Sequence, residues 1–165
     1  MLMKTKNIII FGGGGHGKVI ADIIEILPQY NLIGFIDNTL KAGTKIDKNI
    51  VLGNRSELIN ILKKENIFGG VIGIGDNFAR LGVKNEITSM IPNFNFINCI
   101  HPSAIYSESV KFGEGNTIMA GAIINSSTVI MNHCIINTNS SLEHDCVIEN
   151  FSSIGPGASI GGNVG

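Results

Sequence analysis

The sequence predicts an α/β domain over residues 1–100 followed by a parallel β-helix over residues 101–165. Three observations carry this. Strand-length apolar runs alternate with helical stretches through the first hundred residues. A strict six-residue period then runs from residue 104 to the end. His101-Pro102 stands where one pattern gives way to the other.

Asn7 to Phe11 (NIIIF) is an apolar run of the kind buried on both faces of a parallel sheet, and Gly12-Gly13-Gly14-Gly15-His16-Gly17 follows it directly. The stretch from Met1 to Phe11 has lysines but no signal-length hydrophobic region, so it reads as a first strand and not as an export signal. Lys18 to Leu27 has helical character and stops before Pro28. Leu32 to Asp37 reads as a second strand with an acid at its carboxyl end. Ser56 to Glu65 is expected to be a helix capped by Ser56, Val71 to Gly75 a strand, Arg80 to Met90 a helix and Phe94 to Cys99 a last strand. Strands alternating with helices predict a parallel sheet covered on both faces.

From Tyr106, every sixth residue is large and apolar: Tyr106, Phe112, Ile118, Ile124, Ile130, Ile136, Leu142, Ile148, Ile154 and Ile160. Two positions before each stands a smaller residue, from Ala104 and Val110 through Cys134 and Cys146 to Ala158. An amphipathic helix repeats near 3.6 residues and a strand at 2, so neither explains a period of six. A β-helix does: three hexads make one triangular coil, and residues 18 apart stack at about 4.8 Å. A β-sandwich has no reason to hold one phase for so long. Polar residues such as Glu114, Asn125, Asn132 and Asn150 are expected to turn the corners.

Net charge is −1 and no basic tract is present, which removes the electrostatic basis for nucleic-acid binding or a polybasic membrane contact. No apolar stretch approaches transmembrane length. Three cysteines, two of them in small positions of the repeat, read as packed free thiols in a reducing cytoplasm.

The glycine run fits G-x-G-x-x-G through Gly12, Gly14 and Gly17, with Asp37 twenty residues later. That pattern places phosphates at a helix N-terminus and an acid on a ribose. The domain is about half the size of a full dinucleotide fold, so a nucleotide or nucleotide sugar is the better match. Two other readings stay open: a glycine-rich turn that only packs a helix on its strand, and a small NAD-dependent oxidoreductase. In the β-helix, Glu143-His144-Asp145 places a carboxylate beside a histidine, as a general base requires. Gly162 lies one coil beyond His144, so its N–H is expected beside the imidazole as an oxyanion donor. His133 lacks such neighbours and reads as a surface or interface residue. It is 11 residues from His144, out of phase with the coil, so no metal site is expected.

The segments FGGGGHGKVIAD at 11–22, FIDN at 35–38, IGDN at 74–77, HPSA at 101–104 and INTNSSLEHDCVI at 136–148 resemble the NeuD/PglD-type sugar acetyltransferases, which O-acetylate sialic acid or N-acetylate nucleotide-linked 4-amino sugars. The resemblance covers essentially the whole chain. It implies a Rossmann-like domain joined to a left-handed β-helix, a cytoplasmic homotrimer, and acetyl-CoA as co-substrate bound between neighbouring subunits. It further implies that His144 is the general base with Asp145 assisting, and that Gly162 gives its amide to the thioester oxygen. Gly14, Gly15, His16, Asp37, Asn38 and Gly75 would line the nucleotide-sugar site.

The chain departs from that family in two places. Some members carry a second histidine nine residues after the base, near the acetyl group, where this chain has Ser153. The sequence also stops mid-hexad at Val164-Gly165, where members continue for several coils. The expectation is therefore a truncated chain whose nucleotide-sugar domain folds while its acetyl-CoA site is incomplete, and its own turnover stays open. A non-catalytic nucleotide-sugar-binding or assembly protein is the corresponding alternative.

Overall fold

The structure is a computed structural model and describes residues 5–165. Met1–Lys4, part of the first-strand reading, lie outside the described residues. Two compact units divide between Phe96 and Ile97.

The first unit is a five-stranded sheet: β1 (Lys6–Phe11), β2 (Tyr30–Ile36), β3 (Lys45–Ile46), β4 (Asn49–Gly53) and β5 (Gly69–Ile72), in the order β3-β4-β2-β1-β5. All pairings are parallel except β3 with β4. β1 is central, which explains its unbroken apolar run: Ile8, Ile9, Ile10 and Phe11 are fully buried because helices cover both faces. Ile9, Phe11, Ile36, Leu58, Ile72, Val83 and Ile87 form one core with Phe94 and Phe96. Phe94 meets Phe11 and Phe96 edge to face, with centroids 5.4 and 4.9 Å apart.

Helices α1 (Gly15–Glu25), α2 (Leu58–Glu65) and α3 (Asn77–Met90) all differ from expectation at their starts. α1 begins three residues before Lys18, so Gly15 and His16 are helical. Asn54, and not Ser56, caps the 3-10 turn Arg55–Glu57 that leads into α2: its side chain accepts from Ser56 N, and Glu57 returns a bond from Asn54 N. α3 starts at Asn77 because Asp76 accepts from Ala79 N. The strand expected over Phe94–Cys99 does not form. Phe96 makes a single bridge to Gly70, and Cys99–Ile100 pairs with Thr117–Ile118 in the second unit. The segment 41–48 contains β3.

The second unit is a left-handed parallel β-helix of two-residue strands in three sheets. Registers confirm the coil: Ile105 lies on Ile123, Ile123 on Ser141 and Ser141 on Ser159, 18 residues at each step. Ile118, Ile124, Ile130, Ile136, Leu142 and Ile148 are buried, while Tyr106 is 46% exposed. It belongs to the first strand of its sheet, paired on one side only.

The corners carry a period of their own. Gly115, Gly121, Ser127, His133, Asn139, Asp145, Phe151, Gly157 and Asn163 all have φ between +55° and +70°. Left-handed backbone is the cost of turning each corner. The polar residues expected there sit beside these positions and tie successive coils together. Asn132 Oδ1 accepts from Glu114 N, and Asn150 Oδ1 accepts from Asn132 N, both at 2.9 Å. Buried polar residues in the small row are likewise satisfied. Asn116 Oδ1 accepts from Cys134 N, and Thr128 Oγ1 donates to the Glu143 carbonyl.

Candidate active site

In the β-helix, His144 and Asp145 form a corner of one coil, with Asp145 in the left-handed conformation. That backbone turns the Asp145 carboxylate back onto its neighbour: Oδ2 lies 2.7 Å from His144 Nδ1, and both side chains are about half exposed. An ionised carboxylate only accepts, so Nδ1 carries the proton and the lone pair is left on Nε2. The Nε2 edge faces Gly162. A Cβ at 162 would stand 2.9 Å from Cε1 and 3.0 Å from Nε2, so glycine alone leaves the ring in place. Asn163 N donates to the His144 carbonyl at 3.1 Å, which fixes the two coils beneath the imidazole. The 18-residue stacking thus brings His144, Asp145 and Gly162 together. Ser153 lies exposed in strand Ser153–Ile154, paired with Ile135–Ile136 in another sheet.

His133 corrects the sequence reading. It is 1% exposed, stacked on Phe151 at 5.0 Å and 12°, with Nε2 3.8 Å from Glu114 Oε1. The open space above Gly115 receives its ring, since a Cβ there would collide with Nδ1. All three cysteines are free and buried, and burial pushes the Cys99 thiol up to about 12. Among the described residues no cluster of three or more His, Cys, Asp or Glu could hold a metal ion.

The first unit holds a cleft of about 410 Å³ at the carboxyl ends of its strands, lined by Gly12, Gly13, Gly14, Asp37–Leu40, Arg55 and Ile74. Gly12, Gly13 and Gly14 line the cleft, whereas Gly15, His16 and Gly75 are not among its lining residues; the glycines of the loop and of the β5 end divide into two kinds. Gly12 has φ +104°. A Cβ on Gly13 would strike Ile46, one on Gly17 the Gly12 carbonyl, and one on Gly73 the Gly17 Cα. These four pack the loop. At Gly14, Gly15 and Gly75 a Cβ would meet nothing within 4 Å, so packing does not require them and the space beyond is open to a ligand.

Asp37 has a task the motif did not announce. Its Oδ2 accepts from Gly13 N at 2.8 Å, and its Oδ1 from Thr39 N, Thr39 Oγ1 and Leu40 N. Burial alone would raise this carboxyl, but the donors from Gly13, Thr39 and Leu40 outweigh it and hold the group at about 2. Asn38 Oδ1 accepts from Arg55 N. His16 is partly buried in the first turn of α1. Burial, and then the field of the Arg80 guanidinium, lowers its ring to about 4. Arg80 is itself 1% exposed, and its Nη1 donates to the carbonyls of Ile74 and Gly75. Arg55 and Arg80 were missed by sequence reading. Asn54 and Asp76, the caps just before the elements that carry them, were the available signals.

Comparison with known proteins agrees with this anatomy. The PglD N-terminal domain family matches residues 7–87, and the bacterial transferase hexapeptide (six repeats) family matches residues 127–162. The chain is 35% identical over 115 residues, 70% of its length, to UDP-N-acetylbacillosamine N-acetyltransferase of Bacillus subtilis (strain 168), and that match spans about half (52%) of the relative. It superimposes with a TM-score of 0.86 on the acetyltransferase domain of PglB from Neisseria gonorrhoeae FA1090 in complex with acetyl coenzyme A, at 31% identity, covering 97% of this chain and 75% of that one. The same TM-score holds, at 29% identity and with 97% and 73% covered, for a mutant of perosamine N-acetyltransferase from Caulobacter crescentus in complex with CoA and GDP-perosamine. A hexapeptide β-helix following a glycine-loop α/β unit defines the class. The chain belongs to the NeuD/PglD-type family of sugar acetyltransferases. Among the described residues no helix is long and apolar enough to cross a membrane.

Proposed function

We propose that this chain carries the base and the sugar-nucleotide cleft of an acetyl-CoA-dependent sugar N-acetyltransferase. Its acceptor is an amine on a nucleotide-linked sugar, in preference to a sialic-acid hydroxyl. Two of its relatives are named as N-acetyltransferases, which supports the amine. The observation that carries the proposal is His144 with Nδ1 held by Asp145 and Nε2 turned over Gly162.

His144 Nε2 takes the proton from the sugar amine as nitrogen attacks the acetyl carbonyl. Asp145 stabilises the imidazolium that forms and keeps the tautomer. The backbone N–H of Gly162 is the donor assigned to the developing oxyanion, in a place where no side chain fits. As the carbon–sulfur bond breaks, the proton on His144 passes to the departing CoA thiolate. Transfer is direct, because Cys134 and Cys146 are fully buried and supply no accessible nucleophile.

Gly14, Gly15, His16 and Gly75 would surround the diphosphate, at the start of α1 where helix N–H groups are unpaired. Asn38 would lie further along the cleft, and Asp37 would hold its wall. Ser153 would stand near the acetyl end in place of a second histidine. The assembly is assigned as a cytoplasmic homotrimer, and the buried free thiols fit a reducing compartment.

Thiol release from acetyl-CoA, measured with UDP- or GDP-linked 4-amino sugars, tests the proposal. Sugar-dependent release that vanishes with the 4-hydroxy analogue is the expected result. Release with sialic acid alone would reassign the acceptor, and binding of nucleotide sugars with no release would make this chain a binding protein.

A further inference from the structure

The corner that carries His144 and Asp145 is closed differently from others in the β-helix. At 119–122 and 137–140 the turn closes on itself: Ala122 N donates to the Met119 carbonyl at 3.3 Å, and Ser140 N to the Asn137 carbonyl at 3.2 Å. One coil before the end of each turn stands an alanine, Ala104 and Ala122, which has no polar group to offer it. At 143–146 the residue in that place is Thr128, fully buried inside the coil. Its Oγ1 donates to the Glu143 carbonyl at 3.0 Å and accepts from Cys146 N at 3.3 Å. One hydroxyl, able to donate and accept at once, stands between the first carbonyl and the last amide of the turn.

The inserted group bears on the two side chains in the middle of that turn. Asp145 N donates to the Ser126 carbonyl at 3.0 Å and Asn163 N to the His144 carbonyl at 3.1 Å, which ties the corner to the coils on either side. Bonds of this kind recur at other corners, as from His133 N to the Glu114 carbonyl and from Asn139 N to the Ala120 carbonyl. What sets 143–146 apart from the alanine-backed turns is the span between its ends. A turn bridged through an oxygen is wider than one closed by a direct bond, and its width sets where the Cα–Cβ bonds at 144 and 145 point. The 2.7 Å contact between Asp145 Oδ2 and His144 Nδ1 depends on both directions.

We propose that Thr128 is a positioning residue for the transfer reaction: its buried hydroxyl holds the corner at the width that lets Asp145 grip His144 Nδ1 and leaves Nε2 over Gly162. It touches no substrate and acts through the backbone of Glu143 and Cys146, as a supporting shell acts on a site. The inference rests on the reading of His144 as the base. The same device also occurs where no chemistry is assigned. Asn116 Nδ2 donates to the Met131 carbonyl and its Oδ1 accepts from Cys134 N, the two ends of the turn that holds His133. Asn116 is therefore the internal control for a purely structural bridge.

Ring-nitrogen NMR of His144 and thermal melting, on the full chain and its variants, form the test. Thr128→Ser keeps the hydroxyl and should keep the single Nδ1–H tautomer. Thr128→Ala lets the turn close as it does above Ala104 and Ala122, so the chain should fold while the ring becomes a mixture of Nδ1–H and Nε2–H forms. Thr128→Val, which keeps the shape without the hydroxyl, gives the same reading if melting shows that Thr128→Ala is unfolded. Asn116→Ala should lower the melting temperature and leave the His144 signal unchanged. Sugar-dependent thiol release should follow the ring: kcat of Thr128→Ala falls roughly 10- to 100-fold at unchanged acceptor KM, and Thr128→Ser restores it. A Thr128→Ala ring that keeps the wild-type tautomer, or a change that Asn116→Ala reproduces, overturns the positioning role and leaves His144 as the base. A wild-type ring without the Nδ1–H form overturns the reading of His144 itself.

Discussion

Glycine does different work in the two halves of this molecule. In the β-helix, Gly115, Gly121 and Gly157 occupy corners with φ of +66° to +70°, but serine, histidine, asparagine, aspartate and phenylalanine adopt nearly the same angles at equivalent corners. The left-handed φ of a corner is therefore a demand of the coil that many residue types meet, although at Gly115 and Gly121 the next coil's His133 and Asn139 also leave no room for a Cβ. In the α/β unit no such averaging occurs. Gly12, Gly13, Gly17 and Gly73 each have a particular neighbour that excludes a Cβ, and Gly14, Gly15 and Gly75 have none. A repeat spreads one physical constraint over many residues, whereas a loop at a site gives each residue its own.

The contrast can be tested, beginning with the largest effect. His144→Ala removes the base and should lower kcat by about 10²–10⁴-fold, with nucleotide-sugar affinity unchanged by calorimetry. Near-normal turnover would detach the β-helix corner from the chemistry. Within the stack, Ile136→Ala should cost about 2–5 kcal/mol in denaturant unfolding because the side chain is fully buried between coils. Ile160→Ala, only partly buried, should cost clearly less. Equal losses would mean that coils do not stack as independent layers.

Gly17→Ala should destabilise the α/β unit by roughly 1–3 kcal/mol or more, since its Cβ runs into the Gly12 carbonyl. Gly15→Ala, within α1 and facing open space, should leave melting unchanged or slightly raised and instead weaken nucleotide binding. If both variants melt alike, the division into packing and ligand-facing glycines fails.

A further effect is one of pH. His16 binds its proton only near 4 when folded, against 6.5 ordinarily, so the unfolded chain takes up the proton first as pH falls. Stability contributed by the neutral ring is complete above about 6.5 and is lost progressively down to 4. His16→Gln should flatten the melting temperature across that interval, and an unchanged slope would place the acid sensitivity elsewhere.

Much of the architecture was legible because its cause is periodic. The bulky row, the small row and the 18-residue stacking of Gly162 under His144 all follow from counting, and the NIIIF run marks a strand buried on both faces. Helix starts were less legible. A cap depends on which polar residue reaches a backbone N–H: Asn54, and not Ser56, caps the turn before α2, and Asp76 caps α3. His133 was misread for a similar reason: its burial depends on Gly115 one coil before and Phe151 one coil after.

By itself the sequence determined the two-part organisation, the coil period and the pairing of His144 with Asp145 and Gly162, since each depends on spacing along one chain. Tertiary structure alone decided that Asp37 is consumed in holding the glycine loop, that burial and then Arg80 lower the His16 ring, and that Arg55 is tied to Asn38 and Glu86. Those contacts join residues from different strands and helices at no fixed separation, and a hydrogen bond of that kind leaves no period to read.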